Sequence, residues 1–174
     1  MTEIVIASTS FDEPTYGPVV EKLTARGYDS WVYLADRVAT GKDQLSITVG
    51  QNEDIRVTYN GEHAPLGSAQ ASWYRHPNMF GFDFPDKGKQ LCMEQEIIDL
   101  QESLWLLVPE NAWLNNPYRM KKAQAKLAQL AVAKDLGFDI PETVVSNDWQ
   151  QVDKALDSDD LIVCLLYTSP SPRD

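Results

Sequence analysis

The stretch from Trp113 to Asp148, WLNNPYRMKKAQAKLAQLAVAKDLGFDIPETVVSND, decides the reading of this chain. It reads as a loop, a basic helix, a glycine stop, a proline and then a strand. Met120, Ala123, Leu127, Leu130 and Ala131 recur at helical spacing, so one helix is predicted from about Tyr118 to Leu136. Gly137 ends it, because glycine adopts the left-handed closing conformation at little cost. Pro141 then precedes a strand at Thr143–Val145.

Downstream, Asn147 and Asp148 read as the cap of a short helix through Leu156. Leu161, Ile162 and Val163 begin an apolar strand that runs into Cys164–Asp174, CLLYTSPSPRD. That tail reads as one translated frame of a sequencing adapter. A disordered natural tail is the alternative, since Ser169-Pro170-Ser171-Pro172 suits one. On the first reading residues 164–174 form no packed element and are excluded from fold reasoning. Residues 1–163 are then the natural part, an N-terminal fragment.

Upstream, Ile4 to Ala7 is a short apolar strand of the kind buried on both faces of a parallel sheet. Pro18 opens a predicted helix to Arg26, Gly27 stops it, and Ser30–Leu34 is a second strand. Leu45, Ile47 and Val49 alternate with polar residues, as do Ile55, Val57 and Tyr59, with a turn at 50–54. Asn60-Gly61 is a further turn, before a strand at Ala71–Tyr74. Met93, Ile97, Leu100, Leu104 and Leu107 stripe a long helix from Lys89 to Val108, and Glu94, Glu96, Asp99 and Glu102 lie largely off that stripe. The class is α/β with a Rossmann-like opening. Residues 1 to about 110 are expected to form one layered structure with Ile4, Val5 and Ile6 central.

No GxGxxG or GxxxxGK[ST] follows the first strand. Ser8-Thr9-Ser10 reads either as an anion site at a helix start or as a capped helix start. Charged residues make up 24% of the chain and the net charge is −11, which disfavours nucleic acid as a partner. Arg119, Lys121, Lys122, Lys126 and Lys134 nevertheless form a basic run with no acid among them. Such a local face can hold nucleotide phosphates even on an acidic protein. Without its tail the chain keeps only Cys92, which excludes an internal disulfide and a zinc cluster. No signal peptide opens the chain and no apolar run reaches membrane-spanning length, so a cytoplasmic protein is expected.

Two regions together resemble a known family. Trp73-Tyr74-Arg75-His76-Pro77 followed by a long acidic helix resembles the MvdD-like pre-ATP-grasp domain of ligases that cross-link microviridin- and marinostatin-type peptides. The usual form has a second arginine where this chain has His76. Asn116-Pro117, the helix bearing Lys126, and Leu136-Gly137-Phe138-Asp139-Ile140-Pro141 resemble the start of the ATP-grasp domain in the same proteins and in RimK-like amino-acid ligases. The resemblance implies a pre-ATP-grasp domain at 1–110 and a truncated start of an ATP-grasp domain at 111–163. It implies a ligase that activates a carboxylate as an acyl phosphate, with ATP and Mg²⁺ as cofactors of the intact parent. The product is an amide or an ester, and the substrate is a ribosomal peptide or a free amino acid. A homo-oligomer is compatible with this reading.

The resemblance also implies that Lys126 is one of two phosphate-holding lysines. The second falls directly after Val163, where Cys164 stands. Read without the resemblance, Lys126 is an ordinary solvated lysine. Arg75 either faces a substrate cleft or pairs with a carboxylate such as Asp99. His63 has no metal-ligand company, and His76 has no evident acid, base or nucleophile partner. No residue is assigned as catalytic and none as a metal ligand. A non-catalytic Rossmann-like binding module is the reading from another class.

Overall fold

The computed structural model describes residues 3–51, 55–77, 83, 85–148 and 150. The expected helix through Leu156, the strand at Leu161 and the tail at 164–174 lie outside them. The chain divides into two compact units, 1–125 and 126–174.

In the first unit, β1 (Glu3–Ser8) pairs in parallel with β2 (Asp29–Leu34) on one side and with β6 (Ala71–Tyr74) on the other. β-branched Ile4, Val5 and Ile6 suit a strand. Val5 and Ile6 point to opposite faces and both are buried, so β1 is the centre of the sheet, as the apolar run predicts. Helix α1 (Glu13–Ala25) connects β1 to β2. It starts earlier than expected: Pro14 lies in its first turn, where a missing N–H costs little, and Pro18 lies inside it. A short helix that the sequence did not suggest, α2 (Ala35–Ala39), follows β2.

A second sheet is antiparallel: β3 (Leu45–Thr48), β4 (Arg56–Tyr59) and the two-residue β5 (Glu62–His63). It is not continuous with the parallel sheet, but it shares its core. Val57 and Tyr59 from β4 join Val5, Ala7 and Tyr33 in one buried cluster. The long helix α3 (Lys87–Trp105) adds Leu104 and Trp105 to that cluster. Asp86 caps it by accepting from the Lys89 N–H at 3.1 Å.

The first unit continues beyond α3 to residue 125. Trp113 bridges Ser72 in parallel register, and the Leu114 N–H donates to the Ser72 carbonyl at 2.8 Å. Asn116 then caps α4 (Pro117–Ala123), accepting from the N–H groups of Tyr118 and Arg119, with proline in the first helical turn.

An ion pair ties α2 to the second sheet. Arg37 reaches Asp43 with two parallel bonds of 2.8 Å, and the Tyr59 hydroxyl donates to the same carboxylate. The Arg37 hydrogen bond, helped by Tyr59, holds the Asp43 carboxyl at about 2, below its ordinary 3.8. Asp43 is only 7% exposed. A depressed folded-state value means the stabilisation is present above the unfolded value and is lost as pH falls through the folded one. Acidification from about pH 5 to pH 2 is therefore expected to remove about 2 kcal/mol through this carboxylate. Urea midpoints should fall more steeply over that range in the wild type than in Asp43→Asn. Equal slopes would assign acid sensitivity to other groups.

In the second unit, α5 (Lys126–Asp135) is closed by Gly137, whose φ is +81°. The Gly137 N–H donates to Lys134 and the Phe138 N–H to Ala133, so the expected glycine stop forms. The predicted single helix from Tyr118 to Leu136 is in fact two, α4 and α5, separated at Gln124–Ala125. Neither glycine nor proline marks that break. Thr143–Val145, expected as a strand, is not paired into a sheet; the hydrogen bonds that define a strand come from a partner segment.

Candidate functional site

In open α/β sheets, ligands favour the crevice beyond the carboxyl ends of strands where the strand order reverses. The chain leaves β1 toward β2 on one side and later returns as β6 on the other. The residues at this edge are Thr9 to Asp12 after β1, Ala35 and Asp36 after β2, and Arg75 to Pro77 after β6.

Arg75 does not meet Asp99. It meets Asp12, sixty-three positions away in sequence: Nη2 donates to Oδ1 at 3.2 Å, and Nε lies 2.8 Å from Oδ2. The Nε contact is close enough for charge pairing but off the line of a hydrogen bond. The side chains are 28% and 18% exposed, so the pair is partly shielded. The Ser8 hydroxyl donates to the same aspartate at 3.4 Å, and the Arg75 N–H donates to the Ala7 carbonyl at 2.7 Å. The pair therefore ties the loop after β1 to the loop after β6.

Of the two readings of Ser8-Thr9-Ser10, the structure favours a helix start satisfied from within. The Ser10 N–H donates to Asp36 at 2.7 Å, and the Ser10 hydroxyl donates to the same carboxylate. An internal anion thus takes the donors that a ligand would use. The edge is acidic as well: burial first, then Glu13 and Asp36, push the Tyr16 hydroxyl above its ordinary value.

The end of β6 is fixed by Asn115. Its amide accepts from the Tyr74 N–H at 3.0 Å and donates to the Tyr74 carbonyl at 2.7 Å, as a neighbouring strand would. His76, directly after Arg75, has φ +46°. That is a strained backbone for a residue other than glycine, the more so before a proline. Pro77 behind it is fully buried. The strain sits beside the Arg75–Asp12 pair, a placement common at ligand sites.

The basic run is divided between the two units. In the first, Arg119 pairs with Glu110 at 2.7 Å and Lys121 with Glu102 at 2.6 Å. The Glu102 hydrogen bond raises Lys121 above its ordinary value. In the second, Lys126 is the first residue of α5 rather than mid-helix; it is exposed and has no ion pair among the described residues. A lysine there opposes the helix dipole at a small cost. The same end offers first-turn N–H groups that have no partners inside the helix. A cation beside a helix start is a setting that suits an anionic oxygen.

Sequence reasoning named Arg75 and Lys126 but missed Asp12, Asp36 and Asn115. Only the long-range register of β1 with β2 and β6 brings the first two to one edge. Elsewhere in the first unit an open cleft of about 540 Å³ is lined by Ile55, Val57, His63, Leu66 and Leu107 among others, and no predicted binding residue reaches it. Among the described residues, no group of three His, Cys, Asp or Glu side chains is placed to hold a metal ion. No described helix is long and apolar enough to cross a membrane.

No family model and no curated protein matches the chain by sequence. Solved structures do match. The macrocyclase MdnB from Microcystis aeruginosa MRC aligns with a TM-score of 0.67 and 20% identity, over 88% of this chain and 50% of that one. A Chryseobacterium gregarium RiPP-associated ATP-grasp ligase, solved with ADP and a leader and core peptide, aligns with a TM-score of 0.65 and 22% identity, over 90% and 47%. The macrocyclase MdnC from the same Microcystis strain, bound to precursor peptide MdnA, aligns with a TM-score of 0.66 and 24% identity, over 89% and 50%. The chain thus spans about half the length of each. The α/β fold expected from the sequence is the fold of that portion of these ATP-grasp ligases.

Proposed function

We propose that this chain supplies the N-terminal half of an ATP-dependent ligase that modifies a ribosomal peptide through an acyl phosphate. The observation that supports it most is the shared fold over nearly nine-tenths of the chain with ligases solved with precursor or leader peptides. The likeness covers 88–90% of a chain that holds both a parallel-sheet unit and the helix that carries Lys126.

A carboxylate is a poor acyl donor because its charge repels a nucleophile. ATP, when bound, supplies the phosphoryl group that converts it into a good one. The protein's part is positioning and charge neutralisation. Lys126 fits a phosphate oxygen: it is exposed, unpaired among the described residues, and at the amide-rich end of α5. Arg75 is positioned by Asp12, and its remaining guanidinium donors would orient a polar group of the substrate. The domain reading follows: 1–110 as the pre-ATP-grasp domain, 111–163 as the start of the ATP-grasp domain, and a cytoplasmic protein. No residue of this chain is assigned to Mg²⁺.

The test uses the chain continued to the length of the ligases it matches. ADP release is measured with candidate precursor peptides and with free amino acids. Peptide-dependent release with loss of water from the peptide supports the proposal. Release with free amino acids alone would move the protein to the RimK-like amino-acid ligases. Release with neither would leave a non-catalytic binding module.

A further inference from the structure

Among the described residues, six buried polar atoms without a hydrogen-bond partner fall in one layer of the first unit. They are Thr9 Oγ1, Tyr33 Oη, Ser72 Oγ, Gln101 Oε1 and Nε2, and Trp105 Nε1. The sheet register places them. Val5 lies opposite Trp31 and Ser72, and Ala7 lies opposite Tyr33 and Tyr74. Paired residues share a face and the face alternates along a strand. Thr9, two positions after Ala7 in extended conformation (φ −127°, ψ 158°), continues the same face. Val5, Ala7 and Tyr33 share a cluster with Leu104 and Trp105 of α3, so this is the face that α3 covers. Gln101 lies one turn before Trp105 and is itself 1% exposed, on the buried stripe of that helix.

We propose that the layer between α3 and the parallel sheet holds ordered internal water, anchored by the amide of Gln101. A buried polar atom left without any partner destabilises the fold. Folded proteins contain only a few such atoms per hundred residues, and here six share one layer. Water is the fitting ligand. All five side chains are neutral, so nothing in the set selects an ion. An amide with both donors and an acceptor, two aliphatic hydroxyls, a phenol and an indole N–H supply the two to four partners that a buried water requires. An apolar residue at position 101 would have continued the helix stripe. A glutamine there makes sense in a layer that is wet.

The experiment is a crystal structure of the chain at a resolution that shows ordered solvent, with thermal melting of Gln101→Leu beside it. The expected result is a water within hydrogen-bond distance of Gln101 Oε1 or Nε2. Removing that anchor strands the water and its remaining partners, so the Gln101→Leu midpoint should drop by about 3 °C or more. A dry layer gives the opposite sign, because leucine would relieve two unsatisfied atoms and raise the midpoint. Absence of water at Gln101, or a raised midpoint, overturns the proposal. If the variant does not fold, the solvent structure of the wild type decides alone.

Discussion

Replacing Trp105 with alanine is expected to lower the unfolding free energy of the first unit by about 3–5 kcal/mol. Trp105 is 1% exposed and stands edge-on to three other rings. Its ring centroid lies 5.3 Å from Tyr33, 6.4 Å from Tyr74 and 6.1 Å from Trp113, each pair near perpendicular. Edge-to-face pairs add about 0.5–1.5 kcal/mol each beyond the area they bury. These partners come from β2, from β6 and from the segment that bridges β6, so one indole joins three separate parts of the chain. Small domains are stable by about 5–15 kcal/mol in total, and this loss takes a large share of it. Urea denaturation followed by tyrosine and tryptophan signals would measure it. Trp105→Phe keeps a ring and should cost markedly less. A Trp105→Ala loss under about 1 kcal/mol would contradict the central place of this residue.

Local pattern made some of the fold legible. The apolar run at Ile4–Ile6 marked the central strand because burial on both faces demands it. Gly137 marked a helix end because a left-handed residue was needed there. What stayed hidden depends on pairing across distance. Asp12 is the partner of Arg75 only because β1 and β6 are neighbours, which no window of sequence displays. Gln101 drew no expectation, because a stripe read from apolar residues, Met93, Ile97, Leu100, Leu104 and Leu107, passes over a buried polar one. The break at Gln124–Ala125 carries no glycine or proline, so the helical period ran on unbroken through it. Lys126 and Arg75 were named through a resemblance to whole motifs. Periodicity alone offers no means of separating either from an ordinary surface cation.

Lys126→Ala is expected to reduce ATP-dependent ADP release by roughly a hundredfold or more in the chain continued to the length of its matched ligases. The size follows from the role: removing one preorganised donor from developing charge typically costs about 10²–10³ in rate. The fold should not change. Lys126 is exposed and unpaired among the described residues, and alanine is the better helix former, so stability should stay within about 0.5 kcal/mol of wild type. That separation of effects distinguishes a phosphate ligand from a structural lysine. Lys126→Arg keeps the charge but changes its geometry, and should recover part of the nucleotide binding. Arg75→Ala is the control from the other unit. On the proposed reading it weakens use of the peptide while nucleotide binding stays near wild type, although loss of the Asp12 pair also loosens the loops after β1 and β6. Equal ADP release by wild type and Lys126→Ala would remove Lys126 from the site.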